Sequence, residues 1–334
     1  MRRAAFLRAG IAGLLLGSAG ARAADSSRTY RIYMVLWRGS TDVEQGFQAY
    51  LNERGIRHEL IVRDLNTDRS KLPGFVDEIR RLRPDLVYTW GTTSTLGIVG
   101  PSDVRDPARY ITDIPVVFTL VAYPLAAKLV ADDNAPGANV TGVRFLAPID
   151  SQLAAIQNYR ALHSLAVVYN PAEQNSLINV AELRERAKAG QFRLVEKPAP
   201  LDGSGNPMGD AVPQLVREAK AEGAEWLYIG PDSFTAVHAD ALTGTAVQEG
   251  LPSFAATELP LKNSQAMSGL VSPYYALGKL TASQAEKILV AGQSPGTLPV
   301  AQLSRFSLVL NLPVIKRLGF YPPMRVLGIA DIIR

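Results

Sequence analysis

Two kinds of hydrophobic pattern alternate along the chain. Short β-rich apolar runs occupy Arg31 to Trp37, His58 to Arg63, Leu86 to Trp90 and the stretch entered through Pro115. Between them lie longer segments whose apolar residues recur every three or four positions, as in amphipathic helices. Val43, Phe47, Tyr50 and Leu51 predict a helix over Asp42 to Arg54 that Gly55 stops, and Phe75, Ile79 and Leu82 share one face of a helix from Leu72 to Leu82. The same succession returns in the second half. Strands are expected from Ser164 to Tyr169, Phe192 to Glu196, Trp226 to Ile229 and Ser253 to Ala256, with a helix ending before Gly190 and another from Val212 to Glu222. Gly55 matches Gly190, the run closed by Gly91 matches the run closed by Gly230, and Ile114-Pro115 matches Leu251-Pro252.

Strands alternating with helices of this length imply βαβ units, parallel sheets and right-handed crossovers. Two such series in tandem predict an α/β protein of two Rossmann-like lobes. The stretch from Ile114 to Val143 reads as the last core strand of the first lobe, closed by Pro124. A Pro136-Gly137-Ala138-Asn139 turn cluster then leads the crossing into the second. Ligands of open parallel sheets bind beyond the carboxyl ends of the strands, so two facing lobes share one cleft. Those strand ends offer Trp37, Ser40, Gly91, Thr92, Thr93, Thr119 and Tyr123 from the first half. The second half offers Asn170, Gln174, Asn175, Ser176, Asp232, Ser233, Thr257 and Glu258. This hydroxyl- and amide-rich set, with two carboxylates and two aromatics, suits a small polar ligand held from both sides. Each residue also has a structural role open to it. The threonines, Asn175, Ser176 and Asp232 are good helix caps, and Trp37 is a good core aromatic.

Composition changes this picture mainly at the start. Arg2, Arg3 and Arg8, the apolar run from Ile11 to Gly20 and the small-residue site Ala21-Arg22-Ala23 form a secretory signal peptide over residues 1–23, cleaved before Ala24. The general secretory route is favoured, because the arginine pair lacks the spacing of a twin-arginine signal. Without the leader the 35 Lys and Arg fall to 31, matching the 31 Asp and Glu. A near-neutral mature chain carries no electrostatic footprint for nucleic acid or anionic membrane. The sequence contains no cysteine, which leaves neither disulfides nor a lipid-anchor site, and no second run of about 18 apolar residues is present. The Gly203-Ser204-Gly205 run lacks the spacing and the preceding strand of a dinucleotide site, no phosphate-loop lysine or nucleophile elbow occurs, and His58, His163 and His238 make no metal spacing. No catalytic residue, metal or cofactor is assigned.

A set of ordered motifs runs through the whole mature chain. Ile114-Pro-Val-Val-Phe-Thr119, Pro136-Gly-Ala-Asn-Val-Thr-Gly-Val143 and Val168-Tyr-Asn-Pro-Ala-Glu-Gln-Asn-Ser176 are followed by Val271-Ser-Pro-Tyr-Tyr-Ala-Leu-Gly278 and Ile288-Leu-Val-Ala-Gly292. Together they resemble the tryptophan/tyrosine-type substrate-binding proteins of ABC importers. The resemblance implies a type I periplasmic binding protein fold with a three-crossing hinge, with crossings near Gly142, Ser272 and Leu298. On that plan residues 30–142 and 273–297 form the N-terminal lobe, and residues 143–272 and 298–334 the C-terminal lobe. It also implies Thr92 and Thr93 as first-lobe contacts, Asn170, Asn175 and Ser176 as carboxylate-side contacts at a helix start, and Asp232 as partner of a ligand ammonium. Trp37 is placed to stack on an apolar ligand portion. Relatives usually lack the Trp37-Arg38-Gly39-Ser40 version of this loop, and Arg38 is the alternative partner of a second ligand carboxylate.

The leading expectation is a monomeric periplasmic receptor of an ABC importer that closes on a small ligand and presents it to inner-membrane permease subunits. By family the ligand is an amino acid, aromatic or branched ahead of dicarboxylic, with sugars kept open because cleft aromatics stack on rings. A receptor feeding a sensor or chemotaxis protein, and an α/β enzyme using the same cleft, are the rival expectations.

Overall fold

The computed structural model describes residues 28–190 and 192–334, so the expected leader lies outside the described residues. The first series of signals becomes β1 (Tyr30–Leu36), α1 (Asp42–Glu53), β2 (His58–Asp64), α2 (Leu72–Leu82), β3 (Leu86–Trp90), α3 (Gly91–Val99), β4 (Val116–Val121) and β5 (Val140–Arg144). The second becomes α4 (Ile149–Tyr159), β6 (Ser164–Tyr169), α5 (Gln174–Lys188), β7 (Arg193–Pro198), α6 (Val212–Ala221), β8 (Trp226–Ile229), α7 (Ser233–Val237), α8 (Ala239–Gln248), β9 (Ser253–Ala255), α9 (Leu259–Lys262) and β10 (Ser268–Val271). The chain ends with α10 (Tyr274–Leu289), β11 (Ala301–Gln302), β12 (Ser307–Asn311), α11 (Leu312–Leu318), α12 (Met324–Leu327) and β13 (Asp331–Ile333).

Two separate sheets result. The first runs β11-β5-β4-β3-β1-β2 with every pairing parallel, and the second runs β13-β12-β10-β9-β8-β6-β7, parallel except where β10 meets β12. Read outward from the first strand of each series, both have the same order, second-first-third-fourth-fifth. The central strands β3, β4, β6 and β8 are buried along their whole length, as parallel strands covered by helices on both faces must be. The edge strand β2 instead has only half-buried and exposed positions. Local chemistry sets the helix starts. Thr41 and Glu44 form a reciprocal capping box on α1, with Val43 N donating to Thr41 Oγ1 at 3.2 Å and Thr41 N to Glu44 Oε2 at 2.7 Å.

The crossings differ from expectation by a few residues. The Pro136 to Asn139 cluster does not lead out of the first lobe; it turns the chain into β5, a fifth strand of the first sheet, and the chain leaves only after Arg144. Leu298 does not cross either, because Ala301 and Gln302 still pair with Val143 and Arg144, so the passage to β12 follows Gln302. Both shifts have one cause: an extended segment lying along an open parallel edge satisfies its backbone by adding to the sheet before it departs. The three connecting segments are cross-tied. Ser272 Oγ donates to the Phe145 carbonyl at 2.5 Å, Gln302 Nε2 to the Leu146 carbonyl at 2.9 Å, and Arg144 Nε to Gln302 Oε1 at 3.0 Å.

After β10 the chain returns to the first lobe as α10, which lies against α1. The approach is close enough to require glycine on both helices. A Cβ on Gly278 would stand 1.9 Å from the Val43 carbonyl oxygen, and one on Gly46 would stand 2.1 Å from that of Tyr275. The atoms met are backbone and cannot swing away. Across the cleft, Tyr123 accepts from Asn179 Nδ2 at 2.8 Å and Lys262 reaches Asp42 at 2.9 Å, so side chains of the two lobes touch.

Gly278→Ala and Gly46→Ala are each expected to destabilise by about 2 kcal/mol or more, lowering the melting temperature by roughly 5 °C. Gly74→Ala, where the added methyl meets nothing within 4 Å, is expected to leave it unchanged or slightly raised. Thermal unfolding of the three variants checks both.

Candidate functional site

In each sheet the strand order reverses between the first strand and the third, β1 and β3 in one lobe and β6 and β8 in the other. Helices after such a pair leave on opposite faces and open a crevice at the carboxyl ends. Four segments fill the two crevices: the loop from Trp37 after β1, the start of α3 after β3, the loop from Asn170 after β6, and Pro231-Asp232-Ser233 after β8. They face one another across an inner chamber of about 40 Å³, lined by Trp37, Arg38, Trp90, Thr92, Thr93 and Ser94 on one side and by Glu173, Asn175, Asp232, Ser233 and Thr257 on the other. Phe145 and Tyr274 close it at the crossings. The volume equals that of about three water molecules, which is the scale of a charged head group. Trp37, Thr92, Thr93, Glu173 and Ser233 also line an outer chamber of about 470 Å³, where Leu96, Phe234, Val237 and His238 add apolar surface.

The second-lobe wall is acidic. Asp232 Oδ2 accepts from Asn170 N and from Ser176 Oγ, both at 2.7 Å, and its Oδ1 accepts from Thr235 N at 2.9 Å. Glu173 accepts the Ser233 amide, at 3.0 and 3.2 Å to its two oxygens. Burial, and then the charge of Asp232, push Glu173 up to about 7. Burial also raises Asp232. With donors on both oxygens Asp232 is the better solvated of the two, so it carries the charge and Glu173 holds the shared proton near neutrality.

The first-lobe wall is made of donors. The Arg38 guanidinium sits 5.5 Å from the centre of the Trp90 ring and has no hydrogen bond or ion pair among the described residues. Burial lowers its pKa, opposed by Tyr274 and Glu173. Trp37 Nε1, Trp90 Nε1 and Ser94 Oγ are buried without a partner.

Ten of the fifteen residues singled out from the sequence line the two chambers: Trp37, Gly91, Thr92, Thr93, Asn170, Gln174, Asn175, Asp232, Ser233 and Thr257. Capping does not account for the threonines, since the N-cap of α3 is Trp90 and no side chain caps it. Asp232 does cap α7 while facing the chamber. The other five lie elsewhere. Ser40 is exposed just ahead of the α1 cap. Thr119 is buried in the body of β4, its hydroxyl 3.1 Å from that of Thr281. Tyr123 bonds Asn179 across the lobes, and Ser176 stands behind Asp232 as its donor. Glu258 accepts from Tyr274 N at 2.8 Å and pairs with Lys262 at 2.8 Å.

The inner-chamber residues missed include Trp90, Ser94, Leu120, Phe145, Glu173 and Tyr274. Leu120 reaches the chamber because β4 slips register between Phe118 and Val121 and Leu120 adopts φ 52°, so Leu120 takes the strand-end place expected of Thr119. Glu173 was legible in principle, since it lies in the β6–α5 loop that supplied the other candidates. It also makes the start of α5 acidic, which opposes a ligand carboxylate near Asn170, Asn175 and Ser176.

The described residues contain no group of three or more His, Cys, Asp or Glu that could hold a metal, and no helix long and apolar enough to cross a membrane. Comparison with known proteins agrees with the geometry. The chain is 27% identical over 256 residues to a tyrosine-binding protein of Clostridioides difficile, covering 76% of this chain and 68% of that one. A Vibrio cholerae conserved domain protein superposes with TM-score 0.79 at 25% identity, over 92% of this chain and all of its own. An ABC domain from Streptococcus pneumonia in complex with L-Trp superposes with TM-score 0.77 at 20% identity, over 91% of this chain and all of its own, and shares the type I periplasmic binding protein fold. The family described as ABC transporter substrate binding protein matches residues 34–333. Nearly all of the chain is covered by that match, and the protein belongs to the ABC transporter substrate-binding protein family.

Proposed function

We propose that the protein is the receptor of an ABC importer, working outside the cytoplasmic membrane and capturing an amino acid between its lobes. The observation that carries this reading is the buried pair of carboxylates, Asp232 and Glu173, in a small chamber that both lobes line. Two buried acids without a cation are costly, and a ligand ammonium is the natural group to neutralise them. Asp232 and Glu173 take the ammonium, with Asn175 and Ser233 beside them. The side chain extends into the outer chamber, where Trp37 and Phe234 offer aromatic surface. The relatives that bind L-Trp and tyrosine favour an aromatic side chain there.

Because the ligand touches both lobes, it stabilises the closed arrangement by its own contact energy. The hinge is the cross-tied trio of segments at Phe145, Ser272 and Gln302. The closed form is what a permease reads, and the chain acts as a monomer exported by its leader, needing no cofactor and catalysing nothing.

The first test is a thermal-shift screen of L-tyrosine, L-tryptophan and other amino acids, in which a bound ligand raises the melting temperature by mass action. Asp232→Asn is expected to weaken the best amino acid by about 100-fold in calorimetry, the order expected for a buried charge pair losing one partner; unchanged affinity removes Asp232 from the ammonium site. The raised Glu173 predicts two pH effects. In the ligand-free protein the folded state holds a proton that the unfolded chain releases at its ordinary value of 4.5. This contribution is full below about 4.5 and is lost as pH rises through about 7. Ammonium binding has the opposite slope, because the proton competes with it: affinity is expected to rise up to tenfold per pH unit from about 5.5 to about 7, then level off. Glu173→Gln is expected to flatten both curves.

A further inference from the structure

The acidic wall accounts for one end of a ligand. The wall facing it is not used by that account, and it has the opposite chemistry. Arg38 presents a guanidinium with no counter-ion or acceptor among the described residues, 5.5 Å from the centre of the Trp90 ring. Trp37 Nε1, Trp90 Nε1 and Ser94 Oγ are buried and unpartnered. Trp90 is 7% exposed and Ser94 fully buried, so neither reaches bulk water. All four line the same inner chamber. They converge from two adjacent strand ends, β1 and β3, beside the uncapped first turn of α3.

Indole nitrogens donate and never accept, and a guanidinium carries five N–H groups and no acceptor. A chamber wall of this kind does not solvate itself. The other buried polar side-chain atoms left unpartnered among the described residues, Asp133 Oδ1 and Ser164 Oγ, lie outside the chamber. The orphaned donors are therefore gathered at one place. A carboxylate, with two oxygens and about four lone-pair directions, is the compact group that accepts from a planar fork and from flanking N–H donors at once.

We propose that Arg38, the indole N–H groups of Trp37 and Trp90 and the Ser94 hydroxyl form an anion receptor on the first lobe that takes a carboxylate of the ligand. This rests on the reading of the cleft as a ligand site and not on the ligand being an amino acid. It moves the carboxylate from the start of α5, where Glu173 repels it, to the opposite lobe. A zwitterion then bridges the lobes charge to charge, its cation on Asp232 and Glu173 and its anion on Arg38. The ion pairs form only when the lobes meet, so ligands lacking either charge close the cleft less well. Arg38 is thus a specificity-determining residue.

Calorimetry at pH 7.5 with three probes of one ring system tests this: L-tyrosine, tyramine, which lacks the carboxylate, and 3-(4-hydroxyphenyl)propionate, which lacks the ammonium. Arg38→Gln is expected to weaken L-tyrosine and the propionate by 100-fold or more and to leave tyramine within threefold, with Arg38→Lys restoring part of the loss. Trp90→Phe is expected to cost about tenfold on the same two probes. L-Tryptophan and L-glutamate distinguish the source of the carboxylate: all amino acids weaken if Arg38 holds the backbone carboxylate, and L-glutamate alone if it holds a side-chain one. The ligand-free Arg38→Gln protein is expected to melt at or above the wild-type temperature, because it loses an unpaired, half-buried charge. Melting well below wild type makes Arg38 a structural residue and overturns the proposal, as does undiminished carboxylate binding by the variant. If no amino acid binds but the propionate does so through Arg38, the amino-acid reading fails and the anion receptor stands. If no carboxylate in the panel raises the wild-type melting temperature, the anion receptor falls.

Discussion

The backbone contact between α1 and α10 is the constraint on which the architecture depends. Gly46 and Gly278 let the two helices touch at distances where a methyl group would meet carbonyl oxygen. This seam binds a segment that follows the first five strands of the second sheet onto the helix that follows the very first strand. Once α10 belongs to the first lobe, the chain has to leave for the second lobe, return and leave again. Three segments therefore pass between the two sheets. Their mutual hydrogen bonds at Phe145, Ser272 and Gln302 tie them to one another.

The hinge brings together two walls of opposite character. Neither wall is stable company for itself. Asp232 and Glu173 share a proton because two buried carboxylates cannot both ionise freely, while two indole nitrogens and Ser94 are held away from water without partners and Arg38 stands half-buried beside them. Each lobe thus carries a local electrostatic cost that the other relieves only in part, since Glu173 offsets some of the desolvation of Arg38 but no ion pair joins the two among the described residues. A ligand with both charges relieves both at once. Binding sites commonly store such strain, and the stability it forfeits reappears as affinity.

Thr119 and Glu258 show how local signals mislead at a site. Thr119 lies near the carboxyl end of β4, but a register slip turns Leu120 to the chamber in its place. Glu258 looks like a free loop carboxylate and is instead the acceptor that anchors the first amide of α10 and the ammonium of Lys262. In both cases the deciding partner is far away in sequence, where no pattern of neighbours carries information.

What the sequence determined by itself was the repeated βαβ order, the two lobes and the four loops at the strand ends that hold the site. These follow from periodicity, from turn chemistry and from the rule that parallel sheets bind at their carboxyl edges, all of which are short-range properties of the chain. Only the tertiary structure decided which side chains in those loops face inward. It showed Glu173 beside Asp232, Arg38 over Trp90, Tyr123 and Ser176 turned to protein partners, and the final crossing delayed to Gln302. Facing directions and charge pairs are set by contacts between segments tens to hundreds of residues apart, and such contacts exist only once the two sheets have been brought together.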